Sequence, residues 1–184
     1  MRFMIAAGVM AFACSAACAQ TPPATPMPME SGKPNANCAA IDVKLDAPYA
    51  SWAAKGTAAS ARGAADLAKA QLPIGKAVEA QLLPTPEVNF PTQPEKPGGS
   101  VSKGGLFQVK IETAGVYFVA LGGGAWIDLI DKDGKASESV AHQPGVTCTT
   151  IRKMVDFKLA PGSYTLQVSA YNQEKLAVLV GKRS

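Results

Sequence analysis

Residues 106–134 read LFQVKIETAGVYFVALGGGAWIDLIDKDG. In the first third, Phe107, Val109 and Ile111 fall on one face while Gln108, Lys110 and Glu112 fall on the other. A two-residue period of this kind describes a half-buried β-strand. Ala114-Gly115 turns the chain, and Val116–Leu121 is nearly all apolar, as a central strand should be. Gly122-Gly123-Gly124 then breaks the run. No helix opens after these glycines, so a phosphate cradle is not indicated, and a bulge or bend between strands is the better reading. From Ala125 to Asp131 a third strand offers Ile127 and Leu129 to one face and Trp126, Asp128 and Ile130 to the other. Asp131-Lys132-Asp133-Gly134 closes it as a hairpin turn, with Gly134 supplying the positive φ.

The same period continues outward. Towards the C-terminus, Ser137–Ala141 reads as a weak strand and His142–Cys148 as a loop around Pro144-Gly145. Ile151–Leu159, Ser163–Ala170 and Leu176–Val180 follow as strands, with Pro161-Gly162 as a turn between the first two. Towards the N-terminus, residues 76–82 alternate Val78, Ala80 and Leu82 against Glu79 and Gln81, and the proline- and glycine-rich residues 83–105 read as a long surface connection with Val88 and Phe90 as its only candidate strand. No strand–helix–strand rhythm is present. The fold class expected is therefore all-β: an antiparallel β-sandwich or jelly roll of about eight strands over 72–184.

The rest of the chain divides into three parts. Residues 1–19 have the form of a secretory signal: Met1-Arg2, an uncharged apolar run, and Ala17-Cys18-Ala19 as a small-x-small cleavage site. Residues 20–36 carry Pro22, Pro23, Pro26, Pro28 and Pro34 with few large apolar groups, which predicts a semi-extended tether. Residues 37–71 form an N-terminal arm with scattered anchors, Trp52 the largest, and a short helix expected within 58–71 from its Ala, Leu, Lys and Gln content. The predicted location is periplasmic or secreted. Ser15-Ala16-Ala17-Cys18 also loosely resembles a lipoprotein processing site, so a lipid-anchored envelope protein is the alternative, and a membrane partner enters only through an acylated Cys18.

Of four cysteines, Cys14 and Cys18 lie in the signal. Cys38 and Cys148 remain, and in an oxidising compartment two cysteines most simply pair as a disulfide. The formal net charge of +4 falls by one when Arg2 leaves with the signal, and the remaining charges are dispersed among acids. Without a Lys/Arg run or basic stripe, nucleic-acid binding is not expected.

Four groupings could carry chemistry. His142 is the only histidine; Ser137 and Ser139 lie near it and Asp128, Asp133 and Asp156 are available as acids, but no serine sits in a strained nucleophile turn. A metal site lacks nitrogen and sulfur ligands, and Asp131-x-Asp133-Gly134 has only part of a calcium loop. The triple glycine reads as a bend. The last grouping is Trp126, Asp128, His142, Arg152 and Lys153, where an aromatic and an acid point away from the core beside polar neighbours, as on a glycan or peptide platform. Its alternative is that Trp126 packs beneath the arm or the 83–105 connection.

The segments Gln93–Ser100, Gly104-Gly105-Leu106, Ala114–Tyr117, Ala125–Asp128 and Ile151–Phe157 together resemble a group of small exported bacterial proteins, many of which carry the label homogentisate 1,2-dioxygenase. The resemblance covers about 38–182. That dioxygenase holds iron through two histidines and a glutamate; with His142 alone, no iron ligand is carried over. Residues 98–170 more loosely resemble the pre-peptidase C-terminal type of β-sandwich, an accessory binding module beside secreted hydrolases. Together these readings predict a non-catalytic periplasmic binding or accessory protein without a cofactor or metal. Its expected partner is an envelope protein or a glycan, met by Trp126, Asp128, His142, Arg152 and Lys153. A metal-dependent oxidoreductase of the dioxygenase kind, or a His142-dependent hydrolase, is the rival reading.

Overall fold

In a computed structural model, residues 38 and 40–184 are described; the expected signal and proline tether lie outside them. Among the described residues, ten strands form two sheets. The larger takes β1 (Gly56–Ala59), β2 (Val78–Gln81), β10 (Lys175–Lys182), β5 (Gly115–Leu121), β8 (Lys153–Leu159) and β7 (Ser139–Pro144) in that spatial order. The smaller takes β3 (Leu83–Pro84), β4 (Lys103–Ile111), β9 (Gly162–Tyr171) and β6 (Trp126–Ile130). Every pairing is antiparallel except β1 with β2. This is the all-β sandwich that the two-residue period demands. No helix among the described residues is long and apolar enough to cross a membrane.

Between the sheets lies the main core. Phe107, Val109 and Ile111 of β4 meet Leu166 and Val168 of β9, Ile127 and Leu129 of β6, and Val155, Phe157 and Leu159 of β8. The apolar residues that alternate onto one face of these strands are thus the ones that enter the core. β5 departs from alternation because it is buried on both faces: Val119 and Leu121 enter the main core, while Phe118 and Ala120 enter a second cluster with Trp52, Ile151, Met154 and Leu179. That second cluster lies on the outer face of the larger sheet and is capped by the arm. Trp52 is fully buried there and donates its indole N–H to Thr150 Oγ1 at 2.9 Å. Asp42 fastens the same place, accepting from the Thr150 backbone N–H at 2.7 Å, while its own N–H donates to the Cys148 carbonyl at 3.0 Å. Cys38 and Cys148 form the disulfide, their Cα atoms 5.5 Å apart.

Three expectations are corrected. The helix expected within 58–71 is instead the end of strand β1, then a 3-10 helix over Ala64–Lys69. The segment is too short to nucleate an α-helix well, and Gly56 and Ser60 donate their N–H groups to Ala77 and Gln81 carbonyls beside β2. Residues 83–105, read as a connection with its only candidate strand at Val88 and Phe90, instead have their strands at the two ends, in β3 and the start of β4. His142 lies in strand β7 and not in a loop; the strand runs to Pro144, which is tolerated because β7 is the edge of its sheet. Gly145 then turns the chain so close to Ile151 that a Cβ would overlap the Ile151 carbonyl.

Candidate functional site

The edge strands β6 and β7, one from each sheet, flank a cavity of about 550 Å³. Val155 and Phe157 of β8 provide its apolar floor. Trp126 and Asp128 of β6, Ser139 and His142 of β7, Lys153 of β8, and Glu95 and Glu138 from the connections provide its polar walls. Four of the five residues singled out in sequence therefore converge. Arg152 does not: strand alternation sends it away from its neighbour Lys153, it is exposed, and its positive charge bears on the Tyr171 hydroxyl instead.

Trp126 and Asp128 point away from the sandwich core, as the alternation predicts. They sit opposite Ser169 and Gln167 of β9, and the 85–102 segment crosses over these four residues. Ser169 Oγ donates to the Lys96 carbonyl at 2.8 Å, and the Thr92 N–H donates to Gln167 Oε1 at 3.3 Å. These two bonds fix where Lys96 can reach. Its ammonium lies 4.5 Å from the centroid of the Trp126 ring, within the range of a cation–π contact. Trp126 is thus half-buried beside the connection, with the indole N–H directed to Asp128 Oδ1 at 3.0 Å. The other carboxylate oxygen of Asp128 is buried and without a partner among the described residues, as is the Nε2 of Gln167 opposite it. Unsatisfied buried groups of this kind are uncommon and carry a cost of about 1–3 kcal/mol each.

From the facing sheet, the Lys153 ammonium lies 5.9 Å from the same ring centroid. Its backbone position puts it in line with Val155 and Phe157, so the amine emerges from an apolar surface. Burial, and secondarily repulsion from Lys96, hold the Lys153 amine below its ordinary range. Neither Lys96 nor Lys153 forms an ion pair among the described residues.

At the rim, Ser139 Oγ and His142 Nε2 are hydrogen-bonded at 2.9 Å. A register shift between Ser139 and Ala141 helps bring side chains three residues apart onto one side of the strand. The acids considered as metal ligands are otherwise engaged. Asp131 Oδ1 accepts from the Asp133 and Lys135 N–H groups and shapes the turn, and Asp133 pairs with Lys132. Among the described residues no group of three or more His, Cys, Asp or Glu side chains is arranged to hold a metal.

Lys96, Glu95 and the Ser139–His142 bond were not foreseen as parts of one site. The only sequence signal for Lys96 is its place between Pro94 and Pro97, which stiffens the backbone that presents it. Compared with known proteins, the chain matches no protein-family model and no curated sequence.

Proposed function

We propose that this chain is an exported, non-catalytic binding or accessory module of the cell envelope, and that the cavity between β6 and β7 is where it holds its ligand. The observation that carries this reading is the convergence of Trp126, Asp128, His142 and Lys153 on one concave surface, with Lys96 over the Trp126 ring. A cavity within roughly 300–1,000 Å³, with an apolar floor and a few directed polar groups, has the character of a ligand site. The Cys38–Cys148 bridge suits an oxidising compartment outside the cytoplasm. The test is chemical-shift mapping of the isotope-labelled mature protein against envelope glycans and peptides. Binding that moves the Trp126 indole N–H and the His142 ring supports the reading. Binding that moves only the second cavity, lined by Pro73, Lys110, Tyr117 and Lys182, overturns it.

One observation favours a second reading. The hydrogen bond between Ser139 and His142 is the contact from which a hydrolytic nucleophile is made. An orienting carboxylate on the other ring nitrogen is not present among the described hydrogen bonds. Labelling of Ser139 by a fluorophosphonate probe, lost in His142→Ala, establishes this reading; an unlabelled Ser139 removes it.

A further inference from the structure

Two lysines of unrelated origin approach the same indole. Lys96 comes from the connection over the smaller sheet and Lys153 from β8 of the larger one, their ammonium groups 4.5 and 5.9 Å from the Trp126 centroid. Like charges gathered at one ring repel, and a half-buried ammonium is costly unless paired. Neither has an ion-pair partner among the described residues. A structural role for Lys153 would be served as well by methionine or leucine above Val155 and Phe157, with no charge to desolvate. The arrangement is accounted for when an anionic group binds beside the Trp126 ring within reach of both amines.

The other walls narrow what carries that anion. Glu95, Asp128 and Glu138 line the cavity together with Lys153, so a polyanion such as an oligophosphate meets repulsion from its walls. A singly charged ligand rich in hydroxyls does not. Its hydroxyl groups can donate to carboxylates and exchange hydrogen bonds with Ser139 and His142, while a ring C–H face lies against the indole. The geometry points to an acidic saccharide as ligand, with a hexuronate carboxylate between Lys96 and Lys153 and the sugar ring against Trp126. This deepens the proposed binding role and rests on it.

The carboxylate draws Lys96 off the indole face, exchanging a cation–π contact for a charge-assisted hydrogen bond. It also removes the repulsion between the two amines. Lys96 is exposed, so Lys96→Met leaves the fold intact; Lys153→Met keeps the stem volume and deletes only the charge.

The experiment titrates the mature protein with trimeric galacturonate and mannuronate, with their methyl esters, and with triglutamate, following the Trp126 indole N–H by NMR. At least one uronate trimer should move that signal and bind about tenfold or more tightly than its ester, as expected for one charge-assisted hydrogen bond. Lys96→Met and Lys153→Met should each erase that preference while still binding the ester. Equal binding of acid and ester at Trp126 overturns the anion assignment and leaves the binding role standing. Triglutamate binding in place of both uronates overturns the saccharide assignment in favour of an acidic peptide. No shift of Trp126 or His142 with any probe overturns the saccharide assignment, and a broader envelope panel that also leaves both unmoved takes the binding role with it.

Discussion

Replacing both Cys38 and Cys148 with serine removes a link between residues 110 apart in sequence. In the chain-entropy account, closing a loop of that length restricts the unfolded ensemble by about 4.7 kcal/mol. The folded geometry should hardly change, because the arm keeps its other fastenings: the Asp42 N–H to the Cys148 carbonyl, the Thr150 N–H to Asp42, and the fully buried Trp52 with its bond to Thr150. The effect therefore belongs to the unfolded state. With a guanidinium m-value of about 4 kcal/mol per M for a domain of this size, the unfolding midpoint should fall by about 1 M. Net stabilities run to about 5–15 kcal/mol, so the double variant should still fold at 25 °C. The assay is equilibrium unfolding followed by tryptophan fluorescence, where Trp52 reports on the arm and Trp126 on the sandwich edge. A midpoint unchanged within about 0.3 M refutes the entropic argument. So does a native variant whose Trp52 emission has become that of an exposed indole, since the bridge would then be what holds the arm down.

Arg183→Met should destabilise by about 2–3 kcal/mol in the same assay, somewhat less than breaking a fully buried pair. It strands the Asp156 carboxylate, 7% exposed, which now accepts from Arg183 Nη2 at 2.8 Å and Nε at 3.1 Å; adding Asp156→Asn should restore part of the loss. For Lys153, the folded amine lies below its ordinary value near 10.5, so the unfolded chain binds more protons between the two values and stability rises with pH through that alkaline window. Below the window the full cost of the buried charge is present. Lys153→Met should therefore be the more stable protein at neutral pH, with the difference shrinking as pH rises, and thermal melts showing a constant difference refute this. Gly145→Ala should cost about 2–3 kcal/mol through overlap with the Ile151 carbonyl, and should speed hydrogen exchange in β7 more than in β4.

How much of this was legible in the sequence follows the range of the forces involved. The strands over 76–82, 106–131 and 151–180 were readable because apolar residues recur on the face turned to the core, and because β5, buried on both faces, is apolar throughout. β1 was missed because Gly56–Ala59 is built of small residues that neither alternate nor resist a helical reading; only the free edge of β2 makes them a strand. β7 was read short because its Pro144 signals a stop, whereas an edge position makes that proline harmless. Trp126 and Asp128 were correctly turned away from the core by simple alternation. What faces them was not readable: that Lys96 reaches the ring depends on Ser169 and Gln167 holding the 85–102 segment from 70 or more residues away, and no local pattern encodes such a partner. The same holds for Arg152, which adjacency to Lys153 made attractive and strand geometry removed.

Why the cavity lies where it does follows from what the rest of the surface is used for. The outer face of the larger sheet is apolar, with Phe118, Met154 and Leu179, and must be covered; the arm covers it and the disulfide confines it there. The outer face of the smaller sheet carries Gln167 and Ser169, both buried, and the 85–102 segment gives backbone partners to Gln167 Oε1 and Ser169 Oγ. With both outer faces covered, side chains of the two sheets meet solvent together at the margins of the sandwich, and the margin between β6 and β7 is one of these places. The larger sheet ends in β7 and the smaller in β6, and between these edges Val155 and Phe157 of β8, packed in the core, also line the cavity. An apolar floor at a sandwich edge would attract association if it were left bare. Trp126, Lys153 and Lys96 shield it with amphipathic stems and charged or polar ends. That shielding and the proposed ligand site are the same set of atoms, so a substitution that improves one should be expected to weaken the other.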